Sequence, residues 1–204
     1  KKTSFPIFKR HNIRRIYTWG IYVRKILIIG AGGIGSYLIQ YLYKTGQYNI
    51  TVYDPDKVEK KNITYQNFTK DDIDLHKVVV MKRDYAIKAE PYLVLTESQL
   101  QGYQLVICCA DNLGIRKTLY RSKVKWLDLR AQGRNCAMIS YKMDKNKFDT
   151  VLTGPDGSFS CQGEWNGKAK NIHMMNIVAA GMGAQWIQRW FNKEDVCDSK
   201  VINI

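Results

Sequence analysis

One stretch of this 204-residue chain constrains its fold more than any other, a glycine loop between an apolar run and a helical pattern. The apolar run, residues 26–29, leads into the loop, and after the helical pattern a second apolar run, residues 50–53, ends on Asp54. This is the order of strand, phosphate loop, helix, strand and acidic residue in a nucleotide-binding βαβ unit. The sequence therefore predicts an α/β fold, a Rossmann-like, mostly parallel sheet with helices on both faces.

Each part of this unit has an expected physical role. We expect Gly30 to permit the tight turn, Gly32 to let the backbone approach a phosphate, and Gly35 to let the helix pack closely on the strand. Gly33 adds a further glycine to the loop. The start of the helix offers free N–H groups to an anion, and Asp54 is placed to accept hydrogen bonds from ribose hydroxyls.

The residues after the second run narrow the choice of nucleotide. They read Asp54-Pro55-Asp56-Lys57-Val58-Glu59, followed by Asn62 and Gln66. This string resembles the signature D-x-D-x-V-x-x-x-N-x-x-R-Q of the superfamily of ThiF, MoeB and the ubiquitin-activating enzymes. Residues 72–77 resemble that family's segment before its ATP-contacting lysine. The apolar run 105–109, with the Asp111, Asn112 and Arg116 that follow it, is similar to the family's strand, aspartate–asparagine pair and downstream arginine. The resemblance covers most of residues 25–190.

The resemblance implies a ThiF-type adenylation domain that binds ATP and Mg²⁺. Such a domain adenylates the C-terminal carboxylate of a small acceptor, either a ubiquitin-like or sulfur-carrier-like protein or a peptide, and releases pyrophosphate. By position, the resemblance assigns catalytic roles to Lys77 and Asp111, with Asp111 also binding the metal. The residues that it assigns to the nucleotide are Gly30, Gly32, Gly33, Gly35, Asp54, Asp56, Asn62, Gln66, Lys77 and Asn112.

One position departs from the family pattern. Tyr65 stands where the signature has an arginine that contacts the triphosphate, and tyrosine supplies neither the charge nor the planar fork of a guanidinium. A cation from elsewhere is then needed. The sequence offers Lys61, Lys70 and, from a partner subunit, one of the N-terminal arginines Arg10, Arg14 and Arg15.

The five cysteines are Cys108, Cys109, Cys136, Cys161 and Cys197. No C-x-x-C motif occurs, so we expect neither a zinc site nor a disulfide framework, and the pattern favours a reducing cytoplasm. In thioester-forming relatives the active cysteine lies in the loop that corresponds to residues 143–170. Cys161 is therefore a candidate nucleophile for the adenylated carboxylate, and the alternative is an ordinary loop cysteine.

Charge and hydropathy set the broad class. The net charge of +14 favours an anionic partner; nucleic acid is one such partner, although the motifs favour a nucleotide. No apolar run is long enough to cross a bilayer, so no membrane association is expected.

We divide the chain into a basic arm (residues 1–24), an adenylation domain (25–192, with a crossover-type loop at 143–170) and a C-terminal tail (193–204). The family resemblance and the apolar helical pattern at 171–191 indicate a homodimer.

Periodicity predicts the remaining elements. Strands are expected at 25–29, 49–53, 92–95, 105–109, 124–129 and 136–142, the last antiparallel. Helices are expected at 34–45, from after Asp74 to a stop at Pro91, at 113–122 and at 171–191.

Two other functions fit part of the sequence. The glycine loop and Asp54 also occur in NAD-dependent oxidoreductases, but in that class Asn62, Lys77 and the Asp111–Asn112 pair have no role. A catalytically degenerate binding or structural module, which keeps the fold and is basic, is suggested by Tyr65 and the high charge.

Overall fold

The computed structural model describes residues 24–94, 96–152 and 172–204. These residues form a seven-stranded sheet in the order β3-β2-β1-β4-β5-β6-β7. The strands are β1 (Arg24–Ile29), β2 (Tyr48–Tyr53), β3 (Lys88–Glu90), β4 (Leu105–Cys108), β5 (Trp126–Gln132), β6 (Asn135–Ser140) and β7 (Ser199–Asn203). The first five strands pair in parallel, and β6 and β7 pair antiparallel.

Helices cover both faces of the sheet. They are α1 (Gly35–Lys44), α2 (Lys77–Asp84), α3 (Leu113–Arg121), α4 (Phe148–Val151) and α5 (Met175–Phe191). The first, second and fifth helices pack on one face, and α3 and α4 pack on the other. All four residues of β4 are buried, as expected for a central parallel strand covered on both sides. The predicted α/β architecture is confirmed.

The register of the parallel strands brings their C-terminal ends to one edge of the sheet. Ile29 pairs with Tyr53 on one side and with Cys108 on the other, and Cys108 pairs with Asp128. The loops that follow β1, β2 and β4 therefore begin next to one another. This edge is where ligands bind in open α/β sheets.

The predicted third strand was wrong. The strand lies earlier, at Lys88–Glu90, where it pairs with residues 51–53 of β2. Tyr92, the first residue of the predicted strand, is 62% exposed and belongs to no strand. The predicted end of α2 was also wrong. The helix ends at Asp84 rather than at Pro91, because β3 occupies Lys88–Glu90.

The C-terminal tail is part of the sheet. Its residues 199–203 form β7, which pairs antiparallel with β6 through partners such as Cys136 and Ile202. The boundary that we set at residue 193 therefore separates a strand from its own sheet. Two other predicted segments, the basic arm at 1–23 and the loop portion 153–171, lie outside the described residues, and with them lie the N-terminal arginines and Cys161. Within the described part of the chain, no helix combines the length and apolarity needed to span a bilayer.

Candidate nucleotide-binding site

The glycine loop connects β1 to α1, and two of its glycines are required by the protein itself. Gly30 has φ +95°, and its N–H donates to the carbonyl of Tyr53 at 2.8 Å. A Cβ at Gly30 would lie 2.9 Å from the backbone nitrogen of Ala110. A Cβ at Gly35 would lie 1.9 Å from the carbonyl oxygen of Gly30, which no backbone adjustment within a helix can absorb. These contacts agree with the turn and packing roles expected from the sequence.

Gly32 differs from these two. A Cβ there would meet only the Nε2 atom of Gln66, at 3.9 Å, so the described protein leaves open space in front of it. The Oε1 atom of Gln66 is buried and has no hydrogen-bond partner among the described residues. Buried polar atoms are normally paired, so an unpaired amide oxygen beside an open glycine indicates space for a ligand. The first turn of α1, which borders the same space, contains no acidic residue that would oppose an anion.

Asp54 follows β2 and is buried. Its Oδ2 accepts a hydrogen bond from the N–H of Ala31 at 2.6 Å, and its Oδ1 accepts one from the N–H of Asp56 at 2.8 Å. Burial raises the pKa of Asp54 above its ordinary value, and the nearby Lys77 charge and the two N–H groups oppose that rise. The carboxylate thus connects the glycine loop to the end of β2. Its expected contact with ribose remains a prediction.

Lys77 is the first residue of α2, and its side chain is 8% exposed. Its Nζ lies 2.8 Å from Oδ2 of Asp56, whose side chain is 64% exposed. The backbone N–H of Lys77 also donates to the carbonyl of Asp56, at 2.9 Å. The loop after β2 therefore positions the lysine that the family resemblance assigns to the phosphates, and a carboxylate neutralises it.

Asn62 and Tyr65 shape the turn after this loop. Asn62 is buried, and its Oδ1 accepts a hydrogen bond from the N–H of Glu59 at 2.8 Å, so its visible role is to close the turn. Tyr65, at the position of the family arginine, is also buried. Its side chain packs inside the protein and does not supply the positive charge that the family arginine carries.

Asn176 was missed from the sequence, and it connects this turn to the glycine loop. It lies in the first turn of α5, is 1% exposed, and donates from Nδ2 to the carbonyl of Gly33 at 3.0 Å and to the carbonyl of Tyr65 at 2.9 Å. Its Oδ1 has no hydrogen-bond partner among the described residues. The signal that could have revealed it is a polar amide between apolar residues, with Met174 and Met175 before it and residues 177–180 after it.

The loop after β4 carries the next two predicted residues. Ala110 contacts the glycine loop at Gly30, and Asp111, which is half-buried, comes directly after it. Asn112 is the N-cap of α3, where its Oδ1 accepts a hydrogen bond from the N–H of Ile115 at 3.0 Å. This cap is its visible role, and its expected contact with the nucleotide remains a prediction.

Asp111 is not part of a cluster of metal-ligating side chains in the described residues. Over the described residues, no group of three or more His, Cys, Asp or Glu side chains is arranged to hold a metal ion. Mg²⁺ commonly takes one or two carboxylates from the protein and completes its shell with phosphate oxygens and water. Asp111 fits that arrangement, and a metal held by a full protein cage does not.

A buried ionic cluster surrounds Asp128, a residue of β5 that pairs with the last residue of β4, Cys108. The carboxylate accepts hydrogen bonds from Nε of Arg116 at 3.3 Å, from the hydroxyl of Tyr120 at 3.0 Å and from Nη2 of Arg130 at 2.7 Å. Burial, followed by the negative charge of Asp128, raises the pKa of Tyr120 far above its ordinary value. Arg130 also donates to the carbonyl of Val151 at 2.6 Å. The cluster connects α3 and α4 to β5.

The described cysteines offer no nucleophile at this edge. Burial raises the pKa of Cys108 to about 12 and the pKa of Cys109 well above its usual range, so both remain thiols near neutral pH. Burial also raises the pKa of Cys136. The role expected for Cys161 remains a prediction.

The structure thus brings most of the predicted residues to one edge. The glycine loop follows β1. The chain from the end of β2 to the start of α2 contributes Asp54, Asp56, Asn62, Gln66 and Lys77. The adjoining loop after β4 contributes Asp111 and Asn112. The open face of Gly32 and the buried ammonium group fit the phosphates of a nucleotide, and the unpaired acceptor at Gln66 fits a donor such as a hydroxyl or amino group.

Comparison with known proteins is consistent with this geometry. The sequence profile described as the ThiF family matches residues 21–195. Over 103 residues the chain is 33% identical to an adenylyltransferase and sulfurtransferase UBA4 from Yarrowia lipolytica, which covers 46% of this chain and 26% of that protein. Over 115 residues it is 29% identical to a molybdopterin-synthase adenylyltransferase from Salmonella typhimurium, which covers 49% of this chain and 46% of that one. The matched region thus spans less than half the length of either relative.

The fold is shared with crystal structures of greater sequence distance. MccB from E. coli superposes with a TM-score of 0.67 at 19% identity, over 90% of this chain and 60% of that chain. The structure of E. coli MccB with ATP gives a TM-score of 0.64 at 18% identity, over 90% and 64% of the two chains. At these identities the likeness concerns the fold.

Proposed function

The chain belongs to the ThiF family, and from that premise we propose that it is an ATP-dependent adenylyltransferase. Its acceptor is the C-terminal carboxylate of a small protein or peptide, of the ubiquitin-like or sulfur-carrier-like kind. In the proposed reaction a carboxylate oxygen bonds to the α-phosphorus of ATP, and the bond from that phosphorus to the bridging oxygen breaks. Pyrophosphate leaves with the electron pair, and an acyl-adenylate remains.

One observation supports this proposal most directly. The open space before Gly32 adjoins the start of α1, and the buried Lys77 ammonium stands at the start of α2, after the loop that follows β2. The reaction brings a carboxylate toward a triphosphate, so its rate depends on fixed positive groups that stabilise the developing charge. A helix N-terminus and an enclosed ammonium group are such groups.

The roles proposed for the remaining residues are those that the family resemblance implies. Asp54 holds the loop in register and offers its remaining lone pairs to the ribose. Asp111 is the proposed protein ligand of the Mg²⁺ that accompanies ATP, and that ion supplies charge neutralisation. Cys161 is the proposed acceptor of the acyl group: its thiolate bonds to the acyl carbon, the bond from that carbon to the phosphate oxygen breaks, and AMP leaves.

The acceptor class rests on the relatives. Their names include a sulfur carrier protein adenylyltransferase from Thermus thermophilus, and one crystal structure contains E. coli MccB with MccA. We propose that this chain acts as a homodimer, with α5 near the interface, and that it works in the cytoplasm. Its described cysteines, Cys108, Cys109, Cys136 and Cys197, are free, which fits a reducing compartment.

The test is ATP–pyrophosphate exchange with radiolabelled pyrophosphate. The acceptor probes are peptides that end in Gly-Gly, each made with a free and with an amidated C-terminus. We expect exchange only with a free carboxylate, and its loss in Lys77→Met and Asp111→Asn, each shown to be folded by circular dichroism. Calorimetric titration with ATP tests the nucleotide site without any acceptor. Unaltered exchange in Asp111→Asn would reject the role of that residue.

Tyr65 favours a second candidate, a catalytically degenerate module that keeps the fold. The tyrosine is buried and brings no cation to the site. This candidate predicts no ATP binding and a steep salt dependence of binding to a DNA or RNA oligonucleotide, because the net charge is +14. A titration with NADH, monitored by fluorescence, separates both candidates from an oxidoreductase.

A further inference from the structure

The ammonium group of Lys77 is enclosed by the protein, whereas its counter-ion is not. The lysine side chain is 8% exposed and that of Asp56 is 64% exposed, with 2.8 Å between Nζ and Oδ2. The backbone hydrogen bond from Lys77 to Asp56 fixes the two main chains relative to each other. Only the Asp56 carboxylate is thus free to move into water while the backbone stays in place.

The hydrogen bonds of this lysine are incomplete. An ammonium group carries three donors, and within the described residues the acceptor bonded to Nζ is Oδ2 of Asp56. Asp54 lies close enough for the Lys77 charge to lower its pKa, but each of its oxygens already accepts from a backbone N–H. A desolvated ammonium with donors to spare gains more from the oxygens of a phosphate than from one solvated carboxylate.

We propose that Asp56 is the resident counter-ion of Lys77, which the triphosphate of ATP displaces. Asp56 is then a positioning residue and not a ligand of the nucleotide, contrary to the expectation from the sequence. An ion pair with a mostly exposed carboxylate is weak, so it keeps the cation paired in the free protein without competing strongly with ATP. This inference rests on the proposed function.

Calorimetric ATP titrations of the wild type, Asp56→Asn, Lys77→Met and the double variant test it. Asp56→Asn should bind ATP about fivefold more tightly, because the triphosphate no longer has to displace a charged partner from Lys77. Lys77→Met should weaken binding, and the second substitution should add no tightening in that background, because the coupling runs through the lysine. Weaker binding by Asp56→Asn would overturn the inference and leave the proposed function standing.

Glu59→Gln is the matched control. Glu59 lies in the same loop and pairs with Lys61 at 3.0 Å, with both side chains exposed, so its substitution removes an equal charge but leaves Lys77 paired. We expect a much smaller change in ATP affinity than in Asp56→Asn. Equal tightening in both variants would mean that any negative charge on the loop opposes ATP, and that result would overturn the specific role of Asp56.

A measurement without nucleotide completes the test. Acetylation of lysines by acetic anhydride, followed by mass spectrometry, should label Lys77 slowly in the wild type and severalfold faster in Asp56→Asn. Labelling at the same rate in both proteins would overturn the pairing. Absence of ATP binding in the wild type and in all variants would overturn both this inference and the proposed function.

Discussion

Two neighbouring parts of the sheet edge differ in how their buried polar groups are satisfied. Where β1 and β2 end, Gln66 and Asn176 each keep a buried amide oxygen with no hydrogen-bond partner in the described part of the chain. Within β5, the buried carboxylate of Asp128 accepts hydrogen bonds from three side chains, two of them arginines. The first region leaves two acceptors available to a ligand, and the second is satisfied by side chains of the protein.

This difference distinguishes a region that binds a ligand from a region that stabilises the fold. An unpaired buried acceptor costs free energy, so it persists where a ligand compensates for it. A saturated ionic cluster costs desolvation but fixes the elements that it joins, here α3 and α4 on β5. We therefore expect substitutions in the first region to change ATP affinity and substitutions in the second to change stability.

The largest expected effect distinguishes two glycines of one loop. Gly35→Ala should lower the free energy of unfolding by about 4 kcal/mol or prevent folding, because its Cβ would overlap the carbonyl oxygen of Gly30. Gly32→Ala should lower it by less than about 1 kcal/mol and should weaken ATP binding, because its Cβ would enter the open space. Urea unfolding and ATP titration measure the two effects. A stable Gly35→Ala variant would contradict the observed packing.

Asp128→Asn tests the saturated region. It leaves two guanidinium groups without their shared carboxylate, and we expect a loss of about 3 kcal/mol in the free energy of unfolding. At a temperature where the variant is folded, its ATP affinity should equal that of the wild type. Glu194→Gln, which breaks the exposed pair with Arg189, is the control and should leave the urea midpoint unchanged. A large loss of ATP affinity in Asp128→Asn would place the cluster in the binding site.

Asn176→Ala tests the incomplete region at the same two readouts. It removes the donors to Gly33 and Tyr65 and leaves two buried carbonyls unpaired, so we expect a loss of about 2 kcal/mol in the free energy of unfolding. Because the glycine loop loses its connection to α5, the dissociation constant for ATP should also rise. Unaltered ATP affinity in a destabilised variant would show that Asn176 supports the fold alone.

The smallest effect is the pH dependence from Asp54. Its folded-state pKa lies above its ordinary value of 3.8, so between these two values the folded protein binds more protons than the unfolded chain. Stability from this group therefore rises as pH falls through the raised pKa, with a slope of at most about 1.4 kcal/mol per pH unit. Asp54→Asn should remove this component from the pH profile of urea unfolding. An identical profile in the variant would contradict the raised pKa.

The local pattern of the sequence was sufficient for much of the molecule. The glycine loop, the acidic end of β2, α1, α3 and the antiparallel β6 were predicted within a few residues of where they lie. These features depend on residues close in sequence, such as glycine in a turn and apolar side chains repeated along a strand. The candidate site residues came from the family resemblance, and the topology of a βαβ unit explains why they lie at one edge of the sheet.

The incorrect predictions concern elements whose formation depends on residues distant in sequence. β3 has three residues, too few for a periodic signal, and exists because β2 offers it a free edge. β7 is a partly exposed strand that exists because β6 pairs with it. Neither strand is stable without its partner, so neither can be read from its own residues.

The sequence by itself determined the α/β fold, because glycine geometry and hydrophobic periodicity are local, and its resemblance to a known family indicated the family and the candidate site residues. Only the tertiary structure decided which partners complete the hydrogen bonds and ion pairs of those residues. It pairs Lys77 with Asp56, connects Asn176 to a loop 143 residues away, and surrounds Asp128 with arginines. Hydrogen bonds and ion pairs of this kind depend on distances between side chains that are remote in sequence, and the folded chain alone sets those distances.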